Sequence, residues 1–425
     1  MPLPRVYDGF SASYGKRTLQ MIPAELNETL TIVDQGSAAG ELLRQYWQPA
    51  AISDEIKVGL PVPVNLLGEK LFLDRDISGD LRLFHREFSD NEPPNFYPKT
   101  IKKAPKSRSY PTIEKNGVIF AFLGDGKPIT LQNFDCFRAP SSHSFAFKGL
   151  WECNWLQALE IGIDPAHASF LHRFLKDEEQ KSSYGKQFRG QTEGADIPMT
   201  KILRDYPRPE IKVNETEYGL KITALRHMDM GMTHVRVTNC IFPNAICIPM
   251  SREMTITQWH VPIDNHHCYW YTIFTSFDNP VDKQVMRAQR LSQHNLPDYS
   301  PIKNKANNYQ YDPEEQRHTT FTGMGLDINV HDQWAVEMMG SVQDRTREHL
   351  GRSDIAIVRY RRMLRKAMAS QNSGRLDQMP MQPNIAGDIV GPLSNDAIAP
   401  TELWEENSHR ADLARRKNCP WDASI

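Results

Sequence analysis

Asn154-Trp-Leu-Gln-Ala-Leu-Glu-Ile-Gly-Ile-Asp-Pro-Ala-His-Ala-Ser-Phe-Leu-His172 places one carboxylate and two imidazoles, Asp164, His167 and His172, within nine residues. Asp164-Pro165 reads as a helix start, because Asp caps free N–H groups and Pro suits a first helical position. His167 then sits near the top of that helix, and His172 about a turn and a half further on. A histidine pair on a helix is also what an ordinary polar face looks like. The Asp164–His167 spacing favours ligation, since a ligating His gives its other ring nitrogen to a carboxylate or carbonyl. Two His and a distant carboxylate suit mononuclear iron(II), leaving positions open on the metal. The third ligand must come from a remote element. Asp332, in Asn329-Val-His-Asp-Gln-Trp-Ala-Val-Glu337, opens a periodic helix and reads either as that ligand or as a plain N-cap. His331 and Glu337 compete with it.

The rest of the chain is ordinary in composition. It has 425 residues, 40% hydrophobic and 24% charged, with a net charge of −2. No charge excess points to nucleic acid or an anionic membrane. No run of ~18 apolar residues suggests a membrane span. The first residues lack the charged start and apolar run of a signal peptide. Six scattered cysteines fit reduced thiols rather than a disulfide framework, so the expected location is cytoplasmic.

Periodicity divides the chain. Residues 1–46 form an N-terminal segment expected to pack on the large domain that follows, with a short Ser-capped helix from Ser37 to about Tyr46. Residues 47–130 read as a small antiparallel β domain, with hairpin turns at Gly68-Glu69 and Asn116-Gly117. Within it, His85–Ser109 is basic and proline-rich and reads as a long loop. Residues 131–371 hold the helical stretch 154–174 and a polar insertion, Lys176–Pro209, suggestive of a lid. Strands follow at Gly219–His227, His234–Phe242, Thr255–Val261 and Cys268–Phe277, then helices at Asp282–Leu291, Asp332 to about Leu350 and Ser353 to about Ala369. Residues 372–425 read as an extension wrapping the surface or a partner. The fold class is α+β, with two antiparallel sheets.

The pattern Asn-Trp-x-Gln-x-x-Glu-x-x-x-Asp-x-x-His-x-x-x-x-His at 154–172 resembles the iron site of Rieske-type aromatic-ring-hydroxylating oxygenases, in the oxygenase (alpha) subunit, and within them the phthalate dioxygenase-like branch. Arg44-Gln-Tyr-Trp-Gln-Pro49, Thr257-Gln-Trp-His-Val-Pro262, Thr322-Gly-Met-Gly325 and Asp344-Arg-Thr-Arg-Glu-His-Leu-Gly351 resemble it too. The resemblance implies His167, His172 and Asp332 as ligands of mononuclear Fe(II). It implies Asp164 as the entry point for electrons from a neighbouring cluster, and Asn154 near the open side of the iron. It also implies a helix-grip (START/Bet v1-like) catalytic domain, a trimer or hexamer, and O₂ with an aromatic small molecule as reactants.

One departure matters. The family's small domain carries a [2Fe–2S] cluster on Cys-x-His and Cys-x-x-His loops. Neither pattern occurs in this chain, residues 47–130 contain no cysteine, and His85 is their sole histidine. A cluster needs four side-chain ligands, so no [2Fe–2S] cluster is expected in this chain and the β domain is Rieske-like in form alone. Electrons would then come from a Rieske-bearing oxygenase subunit or reductase acting as partner. The alternative is a non-catalytic structural subunit of a hetero-oligomeric oxygenase. An iron(II)/2-oxoglutarate dioxygenase fits poorly, since its ligands run His-x-Asp and then a distant His. Trp259, Trp270, Tyr269 and Tyr271 read as pocket lining or as core, and His260 and His266–His267 as surface or core groups. Arg345, Arg347, Arg359, Arg361 and Arg362 read as solvated faces, subunit contacts or a carboxylate dock, and Cys153 as packing.

Overall fold

The computed structural model describes residues 22–85, 108–176, 197, 199–381 and 389–425. The predicted loop at 85–109 and the predicted lid at 176–209 fall largely outside these residues.

Two small antiparallel sheets come first. One pairs Val62–Leu66, Glu69–Arg75, Leu81–His85 and Ser109–Tyr110 in that order; the other sets Val118–Ala121 between Gln48–Ile52 and Thr112–Lys115. The Asn116-Gly117 turn has φ of 46° and 86°, as a tight hairpin of this hand requires. The first hairpin turns at Leu67-Gly68, one residue before the expected place, with φ of 53° and 78°. Leu67 tolerates this conformation because the turn is docked. Its N–H and that of Gly68 donate to Pro262 O and Ile263 O, both at 2.9 Å, and Leu67 O accepts from Arg44 Nη2 at 2.9 Å.

The main sheet is wholly antiparallel. Its strands are β1 (Ser144–Trp151), β2 (Glu210–Thr216), β3 (Gly219–His227), β4 (Met232–Ile241), β5 (Ala245–Pro249), β6 (Met254–Pro262), β7 (Cys268–Ser276) and β8 (Asp396–Pro400). The order is β2-β3-β4-β5-β6-β7-β1, and β8 pairs with the first half of β4. Thus the C-terminal extension does more than wrap: it adds a strand. It is fixed by Arg416, whose Nη2 lies 2.8 Å from Asp135 Oδ2. One hydrophobic core joins the small sheets, the main sheet and the helices that cross it.

Helix α1 (Trp155–Ile163) lies against β6 and β5, and α2 (Ala168–Leu171) follows it. Helix α3 (Ile328–Glu337) packs on both, and α4 (Ile355–Asn372) crosses the β2–β3 end. Two expectations are corrected here. Residues 154–174 are not one helix: Asp164, with φ −91° and ψ 103°, ends α1, and a turn separates it from α2. The helix expected from Asp332 begins four residues earlier, capped by Asp327, whose side chain accepts from Asn329 N at 3.1 Å, and it stops at Glu337. Among the described residues, no helix is long and apolar enough to cross a membrane.

Candidate metal centre

The polar residues of α1 anchor it. Asn154 caps the helix by accepting from Leu156 N, and its Nδ2 donates to Thr31 O at 3.0 Å and Asn265 O at 2.8 Å. Gln157 Nε2 donates to Val336 O and Gly340 O, and its Oε1 accepts from Gln343 N. Glu160 binds Arg345 Nη2 at 2.8 Å and Arg361 Nε at 2.5 Å. These three recur on one helix face at a spacing of three. They tie α1 to the N-terminal segment, to the end of α3 and to α4. Asn154 is therefore placed as a buried helix cap, and it does not line the cavity described below. Arg345 and Arg361 are not solvated; they are buried partners of Glu160. Arg347, Arg359 and Arg362 are exposed.

Asp164 holds the turn that follows. Its Oδ1 accepts from Ala166 N at 2.8 Å, and its backbone carbonyl accepts from His167 Nδ1. With Nδ1 so engaged, His167 presents Nε2, the arrangement a ligating imidazole needs. Arg226 closes the turn from below, donating to Pro165 O at 3.1 Å and Ser169 Oγ at 3.0 Å. Burial raises the Asp164 carboxyl above its ordinary range, against the pull of nearby His167.

His172 Nε2 and His167 Nε2 lie 3.3 Å and 3.6 Å from Asp332 Oδ1. One ligand atom from each of His167, His172 and Asp332 falls within 4.8 Å of the other two. Because Asp327 does the capping, the Asp332 carboxylate is free of that duty. Its Oδ1 is buried and has no hydrogen-bond partner among the described residues. Burial pushes this carboxyl up to about 7, with His167 opposing and Asp327 adding. A buried oxygen without a donor, facing two imidazole nitrogens, fits a divalent cation. The competitors are otherwise occupied. His331 Nε2 meets Gly325 O at 2.9 Å. Glu337 accepts from Glu152 N and Tyr309 OH at 2.9 Å and 2.6 Å.

The three residues stand in the wall of a cavity of about 160 Å³. Its opposite wall is the sheet: Ile246, Ile248, Ile256, Trp270 and Phe274 supply apolar surface, and Thr238, Arg236, Gln258 and His260 supply polar groups. Trp270 is thus pocket lining. Trp259 packs instead on Phe120 and Phe137, while Tyr269 and Tyr271 pack around the Lys148 ammonium. Gln258 and His260 were not singled out as site residues. The signal was there: Ile256, Gln258 and His260 alternate along β6 and so share a face.

The family described as "LigXa C-terminal domain like" matches residues 139–386, more than half of the chain. The chain belongs to this family of Rieske-type oxygenase subunits. The phthalate 4,5-dioxygenase oxygenase subunit of Pseudomonas putida is 28% identical over 402 residues, covering 83% of this chain and 88% of the relative. The 3-chlorobenzoate-3,4-dioxygenase oxygenase subunit of Comamonas testosteroni is 25% identical, covering 89% and 96%. The 5,5'-dehydrodivanillate O-demethylase oxygenase subunit of Sphingobium sp. is 24% identical, covering 83% and 82%. Among solved structures, dicamba monooxygenase bound to dicamba aligns with TM-score 0.49 at 15% identity, over 78% of this chain and 98% of that one.

Proposed function

We propose that this Rieske-type oxygenase subunit is a mononuclear iron(II) oxygenase that hydroxylates, or O- or N-dealkylates, an aromatic compound with O₂. The observation carrying the reading is the convergence of His167, His172 and the undonated Asp332 Oδ1 on one wall of a largely apolar cavity. Iron(II) held there would supply the redox chemistry that O₂ activation needs. The chain's own residues do the rest. Asp164 O orients His167, Arg226 fixes the 164–169 turn, and Trp270, Ile256 and Phe274 hold an arene beside the three ligands and keep water out.

The reading extends to the electron supply. Residues 47–130 are a Rieske-like unit without a cluster, and residues 131–371 are the catalytic unit. His85, the only histidine of the small unit, has Nε2 engaged by Tyr110 OH at 2.9 Å and Glu69 Oε2 at 2.7 Å. Electrons therefore arrive from a Rieske [2Fe–2S]-bearing subunit or reductase seated beside Asp164 in a trimer or hexamer. The test is an affinity pull-down from the native host with metal analysis, followed by turnover assays with and without the co-purifying protein. Iron in this chain and turnover with a [2Fe–2S] partner alone are expected. Brisk turnover by the isolated chain would overturn the partner requirement. An iron-free chain whose Asp164→Asn variant leaves the assembled complex fully active would favour a purely structural subunit.

A further inference from the structure

The charges around the cavity are already matched. Arg236 Nη1 lies 2.7 Å from Asp396 Oδ2, and its Nη2 donates to Pro249 O at 2.8 Å. Asp396 is held in turn by His234 Nε2 at 2.9 Å. Burial pushes the Asp396 carboxyl up, but His234 and Arg236 outweigh it and hold it at about 2, so the pair stays ionic. Arg290, the other arginine among the described lining residues, faces Asp327 Oδ2 at 3.6 Å. Asp164, Asp327 and Asp332 also line the cavity, so carboxylates outnumber arginines there. Among the described lining residues, no arginine is left over to receive a substrate carboxylate.

Neutral hydrogen-bonding capacity is left over. The Gln258 carboxamide meets His260 Nε2 at 3.3 Å, and no other group among the described residues engages the Gln258 side chain. His260 is completely buried, and its Nδ1 has no partner among the described residues. Burial drives this imidazole down to about 3, so it is uncharged at neutral pH. In the strand register, Trp270 stands opposite His260, and its Nε1 is likewise buried without a partner among the described residues. Buried polar atoms are rarely left unpaired, and a cluster of them on one cavity wall marks where a ligand's own polar group belongs.

We infer that the cavity takes an uncharged arene bearing a hydroxyl, alkoxy or amide substituent, that Gln258 and His260 orient it through that substituent, and that carboxylated arenes are rejected. This rests on the aromatic-oxygenase reading above and narrows it. It also separates this chain from relatives named for phthalate and 3-chlorobenzoate, which are anions at neutral pH.

The test is calorimetric titration of the full, iron-loaded chain under argon, which needs no turnover. The probes are 2-methoxyphenol, 2-methoxybenzoate and naphthalene. The methoxyphenol is expected to bind about tenfold or more tighter than the benzoate, since both arginines among the described lining residues are already paired with carboxylates. Gln258→Leu is expected to weaken the methoxyphenol by about tenfold and leave naphthalene unchanged, as loss of one hydrogen bond predicts. The wild-type panel decides the charge preference even where the variant does not fold. Equal or tighter binding of the benzoate overturns this inference and leaves the oxygenase reading standing. An unchanged methoxyphenol affinity in folded Gln258→Leu overturns the role of Gln258. Failure of all three arenes to bind overturns the aromatic-substrate reading itself.

Discussion

Asp332 Oδ1 lies 3.3 Å from His172 Nε2, with no hydrogen-bond donor of its own among the described residues. This carboxyl is pushed up to about 7 by burial, above the ~3.9 of an exposed Asp. A folded-state pKa raised in this way means the metal-free fold is favoured while the group keeps its proton. That contribution is complete below about pH 4 and is lost as pH rises through about 7. The metal-free protein should therefore lose thermal stability between about pH 4 and pH 7, and the gain in melting temperature on adding Fe(II) should grow over the same window. Asp332→Asn should flatten the metal-free profile and abolish the metal response. Scanning fluorimetry across pH reads both, and an unchanged profile in the variant would refute the assignment.

Asp164→Asn should separate metal binding from electron entry. The atom that orients His167 is the backbone carbonyl of residue 164, which the substitution keeps. An Asn side chain can still accept from Ala166 N as Asp164 Oδ1 does. Iron content by plasma emission should stay within about twofold of wild type, because the ligands and their orientation are untouched. Turnover in the assembled complex should fall by about ten- to a hundredfold if the carboxylate couples the two centres, the scale on which outer-shell groups of a metal site act. Parallel loss of iron and activity would show a structural role instead.

Glu160 is the buried node of the scaffold, between Arg345 and Arg361. Burial acts to raise its carboxyl, but the two arginines outweigh burial and hold it below the ordinary glutamate range. The sign is the reverse of Asp332: this stability is present above pH ~4.3 and is lost as pH falls through the lower folded value. Glu160→Gln leaves the buried Arg345 guanidinium without a counter-charge, while Arg361 keeps Glu348, and should cost about 3 kcal/mol. Denaturant unfolding should show the loss at pH 7 and a weaker acid dependence than wild type.

The convergence of His167, His172 and Asp332 on one point was legible chiefly through the family resemblance, since the histidine spacing and the helix texture around Asp332 each left an ordinary reading open. What the sequence hid was which polar groups do structural work. Asn154, Gln157 and Glu160 share the helix with the ligand turn, yet their partners come from Thr31, Val336, Arg345 and Arg361, all remote in the chain. Nothing local distinguishes such an anchor from a site residue. Asp332 read equally as a cap until the helix was seen to start at Asp327. Short strands are also hard to read: β5 and β8 are five residues each and gain their pairing from neighbours, β4 and β6 for β5 and β4 for β8, rather than from their own propensity.

Two glycines facing the cavity walls should respond oppositely to alanine. A Cβ on Gly149 would fall 2.5 Å from Trp270 Cε2, and an indole held between strands cannot move aside without displacing Phe147 and His294, which pack on it. Gly149→Ala should therefore destabilise by about 1–3 kcal/mol through overpacking, and should weaken ligand binding by shifting Trp270. A Cβ on Gly162 would fall 2.6 Å from Ile246 Cδ1, the flexible end of a side chain that can rotate away. Alanine also favours the helix there by about 1 kcal/mol over glycine. Gly162→Ala should keep the wild-type melting temperature within a degree or two, while the added methyl, 3.8 Å from His260 Nε2, narrows the cavity where Gln258 and His260 face it. Melting curves and calorimetry with naphthalene and 2-methoxyphenol would separate the two effects: stability lost first in Gly149→Ala, and bulkier ligands lost first in Gly162→Ala.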